Sequence, residues 1–382
     1  MTVGAMAGSD PDDDLRFDLR FMELAVALGR RGLGRTWPNP AVGAVVVRAQ
    51  ADAPVVIGRG WTQPHGRPHA ETVALDRAGR DARGAILYVT LEPCSHFGRT
   101  PPCTDAIIAA GITRVVSALE DPNPQVAGEG HRRLAAAGIA VRIGIGADAA
   151  RHAHAGHIRR MREGRPQVLL KLAVSADEKA GLAGRRPAPI TGEVARARVH
   201  LMRAMNDAVL IGSGTVLADD PLLTCRLPGM ADRSPVRVVL DSELRLSLGS
   251  RLVATARETP LWVVTGELAA GEREHALQAA GAEVLRVAGR NGKPDLAAVL
   301  RSLAERGITR LMVEAGPILA AAMLSADLVD EAALLRSRKA IGRDGIDALE
   351  GLPLAALTQS PRLQLIRTEI AGQDTIELLA RR

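Results

Sequence analysis

The chain has 382 residues, of which 47% are hydrophobic and 24% charged, and this indicates a folded globular protein of two or three domains. No apolar run approaches the roughly 20 residues of a membrane helix, and the N-terminus lacks the features of a secretory signal, so we expect no membrane partner. The net charge of +6 suggests a nucleic-acid-binding protein. However, the charges are interspersed and aromatic residues make up only 2%, so we expect the partner to be a phosphorylated small molecule and not a nucleic acid.

The first part of the chain alternates between predicted helices and strands. Residues 1–14 are acidic and polar, and we interpret them as a disordered tail. Apolar periodicity then predicts helices at 15–34, 70–79, 103–112 and 130–139, and strands at 41–47, 53–61, 85–93, 113–119 and 140–146. Strands that alternate with short helices predict an α/β layered domain, which we place at residues 15–147.

The stretch 148–166 breaks this pattern, and we place a linker there. It contains His152, His154 and His157, and three histidines so close in sequence suggest a metal site. No acidic or thiol partner is near in sequence, so we favour a solvated linker helix.

A second α/β series occupies residues 167–382. Strands are predicted at 168–175, 207–212, 236–242, 261–266, 283–289, 309–316 and 331–337, and an amphipathic helix at 194–205. The predicted strand that ends near Glu314 is followed by Gly316 and Pro317, which open a helix. Such a turn either binds a phosphate on free backbone N–H groups or simply connects a strand to a helix.

Two of the three cysteines lie near a histidine and a glutamate. His69, Cys94 and Cys103 supply one nitrogen and two sulfur donors, which is the ligand set of a catalytic zinc with an open fourth position for water. Glu71 follows His69 at the start of a predicted helix, where its carboxylate can carry protons. We expect both cysteines near helix N-termini, which favour thiolate. The pattern is similar to that of zinc nucleobase deaminases.

Two other interpretations of this pattern are a closed structural zinc site and unligated core cysteines. The first lacks a fourth ligand. The second does not explain why a proline precedes each cysteine while the HAE motif starts a separate helix. Three cysteines are too few for a disulfide framework, so we expect a reducing, cytoplasmic location.

The motif TLEPCSHFGRTPPC, with its long spacing between cysteines, and PNPAVGAVVV upstream closely resemble the bifunctional deaminase/reductase family of bacterial riboflavin biosynthesis. In the second half, KLAVSADEKAG, IGSGTVLADDPLLTCR, VRVVLDS and VEAGP resemble the reductase domain of that family. The resemblance implies an N-terminal cytidine-deaminase-like three-layer domain and a C-terminal dihydrofolate-reductase-like domain. It also implies Zn²⁺ and NADPH as cofactors and a homo-oligomer.

For the first domain, the resemblance implies that zinc-bound hydroxide deaminates 2,5-diamino-6-(5-phosphoribosylamino)pyrimidin-4(3H)-one. Zinc would be held by the three ligands named above, and Glu71 would be the catalytic proton carrier. Asn39 would hold the base, and His96 and Arg99 would contact the polar or phosphate end of the substrate. From the residues alone, Asn39 is equally a turn residue and His96 equally a structural loop residue.

For the second domain, the resemblance implies that NADPH reduces the ribosyl group to ribityl. Cofactor-binding positions are Ala173, Thr215, Asp219, Ser242, Gly316, Pro317, Ile318, Leu319, Ala320, Ala321 and Ala322. Substrate-binding positions are Lys171, Leu223, Arg226 and Glu314, with Arg226 on the phosphate. From the residues alone, Lys171 is equally an edge-strand lysine, and Asp219 before Asp220 and Pro221 is more often a turn residue than a site residue. The proton donor is either water or Asp219.

Some positions depart from the family pattern. Thr62 stands where some members have a substrate-binding His, and His65 is a possible replacement. Glu178 stands in place of a usual Gly, and Pro187 and Pro189 in place of Ser and Trp. The prolines leave a deaminase whose C-terminal half is a non-catalytic scaffold as one rival function. A second rival is a deaminase acting on tRNA, which shares the zinc, the glutamate and the fold.

Overall fold

The computed structural model describes residues 11–50, 53–98, 101–124, 126–186 and 188–382. It forms two compact units, of which the first ends at Glu163 and the second begins at Gly164. Within these described ranges, no helix is both long enough and apolar enough to cross a membrane.

The first unit is a five-stranded sheet with helices on both faces. Its helices are α1 (Pro11–Gly29), α2 (Ala70–Ala78), α3 (Cys103–Ala109), α4 (Glu129–Ala136), α5 (Ala147–Ala153) and α6 (Ala155–Glu163). Its strands are β1 (Gly43–Arg48), β2 (Val55–Trp61), β3 (Ile86–Val89), β4 (Arg114–Ser117) and β5 (Ala140–Ile143). The strand order is β2-β1-β3-β4-β5, with β1 antiparallel to both neighbours and β3, β4 and β5 parallel.

The sheet separates two hydrophobic clusters, because successive side chains of a strand point to opposite faces. Ala44 and Val46 of β1 join the cluster formed with α2, α3 and α4. Val45 and Val47 join the cluster formed with α1 and α5. The three-layer α/β arrangement predicted for this half is therefore confirmed.

The N-terminal part of the predicted tail, residues 1–10, lies outside the described residues. Residues 11–14 are not part of a disordered tail, because they form the first turn of α1. Asp12, Asp13 and Asp14 lie in this turn, where negative charge stabilises the positive end of the helix dipole.

The stretch predicted as a linker contributes two helices, α5 and α6, to the first unit. Ala150 and Ala153 belong to the hydrophobic cluster under α1. The interpretation as a solvated helix is wrong for His154, whose side chain is buried against Thr90. The bounds of a linker between the two units stay a prediction.

The second unit is built on a nine-stranded mixed sheet. Its helices are α7 (Glu193–Ala204), α8 (Ser213–Asp219), α9 (Arg251–Ala254), α10 (Gly271–Ala279), α11 (Leu296–Glu305), α12 (Pro317–Ser325) and α13 (Ala355–Thr358). Its strands are β6 (Gln167–Val174), β7 (Lys179–Gly181), β8 (Ala208–Gly212), β9 (Val236–Leu240), β10 (Leu261–Thr265), β11 (Glu283–Arg286), β12 (Gly289–Arg290), β13 (Lys293–Pro294), β14 (Arg310–Val313), β15 (Glu331–Arg336), β16 (Ile346–Asp347), β17 (Leu363–Ala371) and β18 (Asp374–Arg381).

The strand order of the large sheet is β11-β10-β9-β8-β14-β6-β15-β18-β17. The first seven strands in this order, from β11 at the edge through to β15, run parallel to one another. The hairpin of β17 and β18 adds antiparallel strands at the other edge. Each of the seven strands predicted in this half is present, whereas the sequence analysis did not identify the β17–β18 hairpin. The carboxyl ends of β6, β8, β9 and β14 lie at one edge of the sheet, where parallel sheets place binding residues.

Candidate functional site

The three predicted zinc ligands come together in the first unit. His69 directly precedes α2, Cys94 follows β3, and Cys103 is the first residue of α3. His69 Nδ1 lies 3.3 Å from Cys103 Sγ and 3.6 Å from Cys94 Sγ. Tetrahedral zinc with ordinary Zn–N and Zn–S bonds separates N and S by about 3.6 Å. The donor set and its spacing therefore fit zinc.

The protonation of the two thiols differs. Hydrogen bonds from Cys103 and His69 lower the pKa of the Cys94 thiol to about 4, although burial opposes this shift. The hydrogen bond to Cys94, together with burial, raises the pKa of the Cys103 thiol. Cys103 begins α3, and Cys94 Sγ accepts the backbone N–H of Cys103 at 3.3 Å, so both thiols lie at the N-terminus of this helix, as predicted.

Glu71 lies in the first turn of α2 and is only 4% exposed. Burial, with the negative charge of Cys94, raises its pKa to about 7. Its carboxyl group also hydrogen-bonds the thiol of Cys103, which places it at the ligand cluster. A carboxyl group with a pKa near neutrality can both accept and release a proton, as general acid–base catalysis requires.

The other predicted deaminase residues have varied surroundings. The amide of Asn39 donates to the carbonyl of Gly66, three residues before His69. His96 is exposed on the loop after Cys94, and Arg99 lies outside the described residues. Thr62 is buried, and its hydroxyl accepts from the backbone of Val42.

A second group of possible metal ligands consists of Glu92, Glu120 and His131. Both oxygens of the Glu92 carboxylate already accept backbone N–H groups. We assign no metal to this group, because those hydrogen bonds occupy the lone pairs that a cation would need.

In the second unit, Lys171 lies in β6, between β14 and β15. The alternative of an edge-strand lysine is therefore wrong. Burial lowers the pKa of Lys171, and the nearby charge of Glu314 opposes this shift. A position inside a sheet and near a carboxylate is one in which the amine of a lysine often has a functional role.

Glu314 follows β14 and forms a two-point ion pair with Arg203 of α7 at 2.5 and 2.9 Å. Burial opposes ionisation, but Arg203 holds the pKa of Glu314 below its ordinary value. Arg203 also donates to the carbonyl of Thr224, two residues before Arg226. The sequence analysis missed Arg203, since its only local signal is a charge on an amphipathic helix.

The segment that carries Arg226 has a positive environment. Burial and the charges of Arg203 and Arg251 lower the pKa of Arg226. Three arginines within electrostatic range suit a phosphate. Leu223 is buried in a hydrophobic cluster, so only its backbone is free to contact a ligand.

The predicted cofactor residues gather around two helix starts. Gly212 precedes α8 and Gly316 precedes α12. A Cβ at Gly316 would lie 3.5 Å from the hydroxyl of Thr215, so α12 begins close to α8. Asp219 ends α8, and burial raises its pKa while the charge of Lys171 opposes this.

The remaining predicted cofactor positions differ in exposure. Ala320 and Ala321 are buried, whereas Ile318 is 57% exposed. Ala173 lies in β6, and the carbonyl of Ser242, after β9, accepts from Thr265. Pro317 and Leu319 lie in the first turn of α12, and Ala322 in its middle.

Among the departures, Glu178 has a φ of 62°, a left-handed conformation that favours glycine. Pro189 is exposed, and Pro187 lies outside the described residues. His65 is also left-handed and exposed. Cys225 is buried, as expected for a small core residue.

Two family models match the chain. The cytidine and deoxycytidylate deaminase zinc-binding region matches residues 15–119, and the RibD C-terminal domain matches residues 166–376. A riboflavin biosynthesis protein RibD from Escherichia coli (strain K12) is 40% identical over 370 residues, which cover 94% of this chain and 97% of that protein. A protein of the same name from Aquifex aeolicus (strain VF5) is 38% identical, with the same coverage.

Two solved structures are also similar to nearly the whole chain. Acinetobacter baumannii RibD (form 2) is 35% identical with a TM-score of 0.84, over 97% of this chain and all of that one. A diaminohydroxyphosphoribosylaminopyrimidine deaminase/5-amino-6-(5-phosphoribosylamino)uracil reductase from Thermotoga maritima is also 35% identical, with a TM-score of 0.82 and the same coverage.

Proposed function

The chain belongs to the RibD family of bifunctional riboflavin biosynthesis proteins, with a zinc-binding deaminase domain and an NADPH-dependent reductase domain, and we propose that its first substrate is 2,5-diamino-6-(5-phosphoribosylamino)pyrimidin-4(3H)-one. The observation that carries the deaminase assignment is the convergence of His69, Cys94 and Cys103 on one point beside the buried Glu71. The substrate and the residue roles are the parts that experiment has to test.

In the deamination, His69, Cys94 and Cys103 would hold zinc, which would supply the activation that makes water nucleophilic at neutral pH. Glu71 accepts a proton and delivers it to the departing amine, which leaves as ammonia. Its burial excludes competing water from the carboxyl group. Asn39, His96 and Arg99 are assigned to the substrate, Asn39 to the base and the other two to its polar or phosphate end.

In the reduction, NADPH would supply the hydride for C1 of the opened ribosyl group, which would give a product with a ribityl chain. Lys171 and Glu314 contact the sugar, Arg203 orients Glu314, and Arg226 binds the phosphate. Thr215, Ser242 and the first turns of α12 contact the cofactor, together with Ala173. The proton donor is assigned to Asp219 or to water, and burial raises the pKa of Asp219.

Product mass spectrometry tests both assignments. Zinc-loaded protein is incubated with the diaminopyrimidinone ribotide, with and without NADPH. We expect deamination alone without NADPH and the ribityl product with it. Deamination that is never followed by reduction would favour a non-catalytic scaffold and implicate Pro187 and Pro189. Absence of both reactions from zinc-loaded protein would point to a different substrate, and tRNA would be tested next.

We also assign the protein to the cytoplasm as a homo-oligomer assembled through its reductase unit. The support for the oligomer is β17, an edge strand of the large sheet on which Leu365, Ile366 and Ile370 are 58%, 59% and 83% exposed. An apolar edge strand is a surface that pairing with another chain protects. Ile370→Lys should lower the mass measured by light scattering, and an unchanged mass would place the contact elsewhere.

A further inference from the structure

The two cysteines of the ligand cluster lie on separate segments that have few direct contacts. The backbone N–H of Cys103 donates to Cys94 Sγ at 3.3 Å, and that of Thr104 donates to the carbonyl of Cys94 at 3.2 Å. Residues 95–98 and 101–102 between them are neither helix nor strand. The two backbone hydrogen bonds therefore join the segments directly, and contacts from a third element can add to them.

Helix α4 is attached to the chain just before Cys94. The carboxylate of Glu92 accepts the backbone N–H groups of Asp121, Gly128, Gly130 and His131 at 3.0, 2.9, 2.7 and 3.4 Å. Three of these groups are at the start of α4, where N–H groups have no partner inside the helix. Glu92 thus caps α4 from a distant part of the sequence.

The approach of α4 to this segment is close. A Cβ at Gly130 would lie 2.0 Å from the carbonyl oxygen of Pro93, so only glycine allows the contact. One turn later, Leu134 is fully buried in the hydrophobic cluster that also contains Ile107 of α3. Helix α4 is therefore held rigidly against both cysteine-bearing segments.

Arg133 of α4 contacts both segments with one guanidinium group. Its Nη1 donates to the carbonyl of Ser95, the residue after Cys94, at 3.1 Å. Its Nη2 pairs with Asp105 Oδ1 at 2.5 Å, and Asp105 is two residues after Cys103. The five N–H donors of a guanidinium lie in one plane with fixed directions, so the two that Arg133 uses set a distance between its two partners.

We propose that Arg133 is a positioning residue of the zinc centre, which fixes the separation of Cys94 Sγ and Cys103 Sγ by joining the loop after Cys94 to the start of α3. The inference rests on the proposed zinc centre. Zinc binds two thiolates well only at the S···S separation of a tetrahedral site, about 3.8 Å. Loss of the Arg133 contacts leaves the two segments joined by the backbone hydrogen bonds of Cys103 and Thr104 alone among the contacts named above, and groups that support metal ligands typically contribute 10–100-fold in metal affinity.

The test compares Arg133→Met with Arg132→Met in the full chain. Arg132 is the adjacent residue of α4 and pairs with Glu129 of the same helix, so its substitution also removes a charge and an ion pair. Zinc-loaded proteins are challenged with a chromogenic chelator, and the rate of zinc release is recorded. Cobalt-substituted proteins give absorption bands that report the ligand geometry, and urea unfolding reports stability.

We expect Arg133→Met to release zinc at least about tenfold faster and to alter the cobalt bands, with Arg132→Met like the wild type. Asp105→Asn should change both quantities in the same direction, and it decides the matter if Arg133→Met does not fold. Unchanged release and cobalt bands in the variants of Arg133 and Asp105, or an equal change in Arg132→Met, would overturn the inference alone. A wild-type protein that takes up no zinc would overturn the zinc centre as well.

Discussion

His154 should make the stability of the first unit depend on pH. It lies at the end of α5, is 2% exposed, and its Nε2 is 3.0 Å from the hydroxyl of Thr90. That hydroxyl accepts the N–H of Gly43, so its own proton is available to a neutral imidazole. Burial, reinforced by the charge of His157 and opposed by that of Asp121, lowers the pKa of His154 from 6.5 to about 3.

The unfolded chain takes up this proton more readily than the folded one, so acid favours unfolding below pH 6.5, and the full loss is reached below about pH 3. The two pKa values together give a loss of about 2 kcal/mol at pH 5 relative to pH 8, and at most about 5 kcal/mol in stronger acid.

The assay is urea unfolding at pH 8 and pH 5, followed by tryptophan fluorescence in a Trp262→Phe background. The remaining tryptophans, Trp37 and Trp61, both belong to the first unit. His154→Gln, whose amide can replace the contact to Thr90, should lose about 2 kcal/mol less than the parent between the two pH values. His152→Gln, at an exposed position of α5, should behave like the parent. Equal pH dependence of His154→Gln and the parent would refute the argument.

Four further substitutions test the sites. Glu71→Gln should retain zinc, measured by elemental analysis, but slow deamination by about 10²–10⁴-fold because the proton carrier is lost; unchanged turnover would remove Glu71 from the mechanism. Arg226→Ala should weaken the phosphorylated intermediate more than its dephosphorylated form in binding assays, and an equal loss for both would argue against a phosphate contact. Lys171→Met should abolish NADPH oxidation and leave ammonia release unchanged, whereas parallel loss of both would indicate misfolding. Asp18→Asn should lower the free energy of unfolding by about 3 kcal/mol in the same urea assay, since the fully buried Asp18 accepts from two arginines and from a tyrosine; a loss below about 1 kcal/mol would show that the network contributes little.

Much of the fold could be predicted because its signals are local. Buried parallel strands such as β8, β9 and β10 are short runs of β-branched and apolar residues, and glycines mark several of the helix ends. The hairpin of β17 and β18 escaped prediction because β17 is largely exposed and carries no apolar alternation. The burial of His154 could not be predicted from the sequence either, because a polar helix that packs through small alanines has the same composition as a solvated helix.

The chemistry of the zinc site could be predicted from the amino-acid sequence alone. A metal site is specified by the types of its donor residues and by their spacing, and both can be read from the sequence. This made it possible to identify His69, Glu71, Cys94 and Cys103. Family resemblance extended this to the reductase positions, but it could not say which of them the fold brings into contact.

The pairing of charges, in contrast, became visible with the three-dimensional arrangement of the elements. Lys171 is central because β14 and β15, which are more than a hundred residues further along the chain, flank β6. Glu314 meets Arg203 across 111 residues, and Arg133 reaches both cysteine-bearing segments only because α4 packs beside α3. Such contacts depend on strand order and helix packing, which arise from the burial of apolar surface over the whole unit and leave no trace in the spacing of the residues concerned.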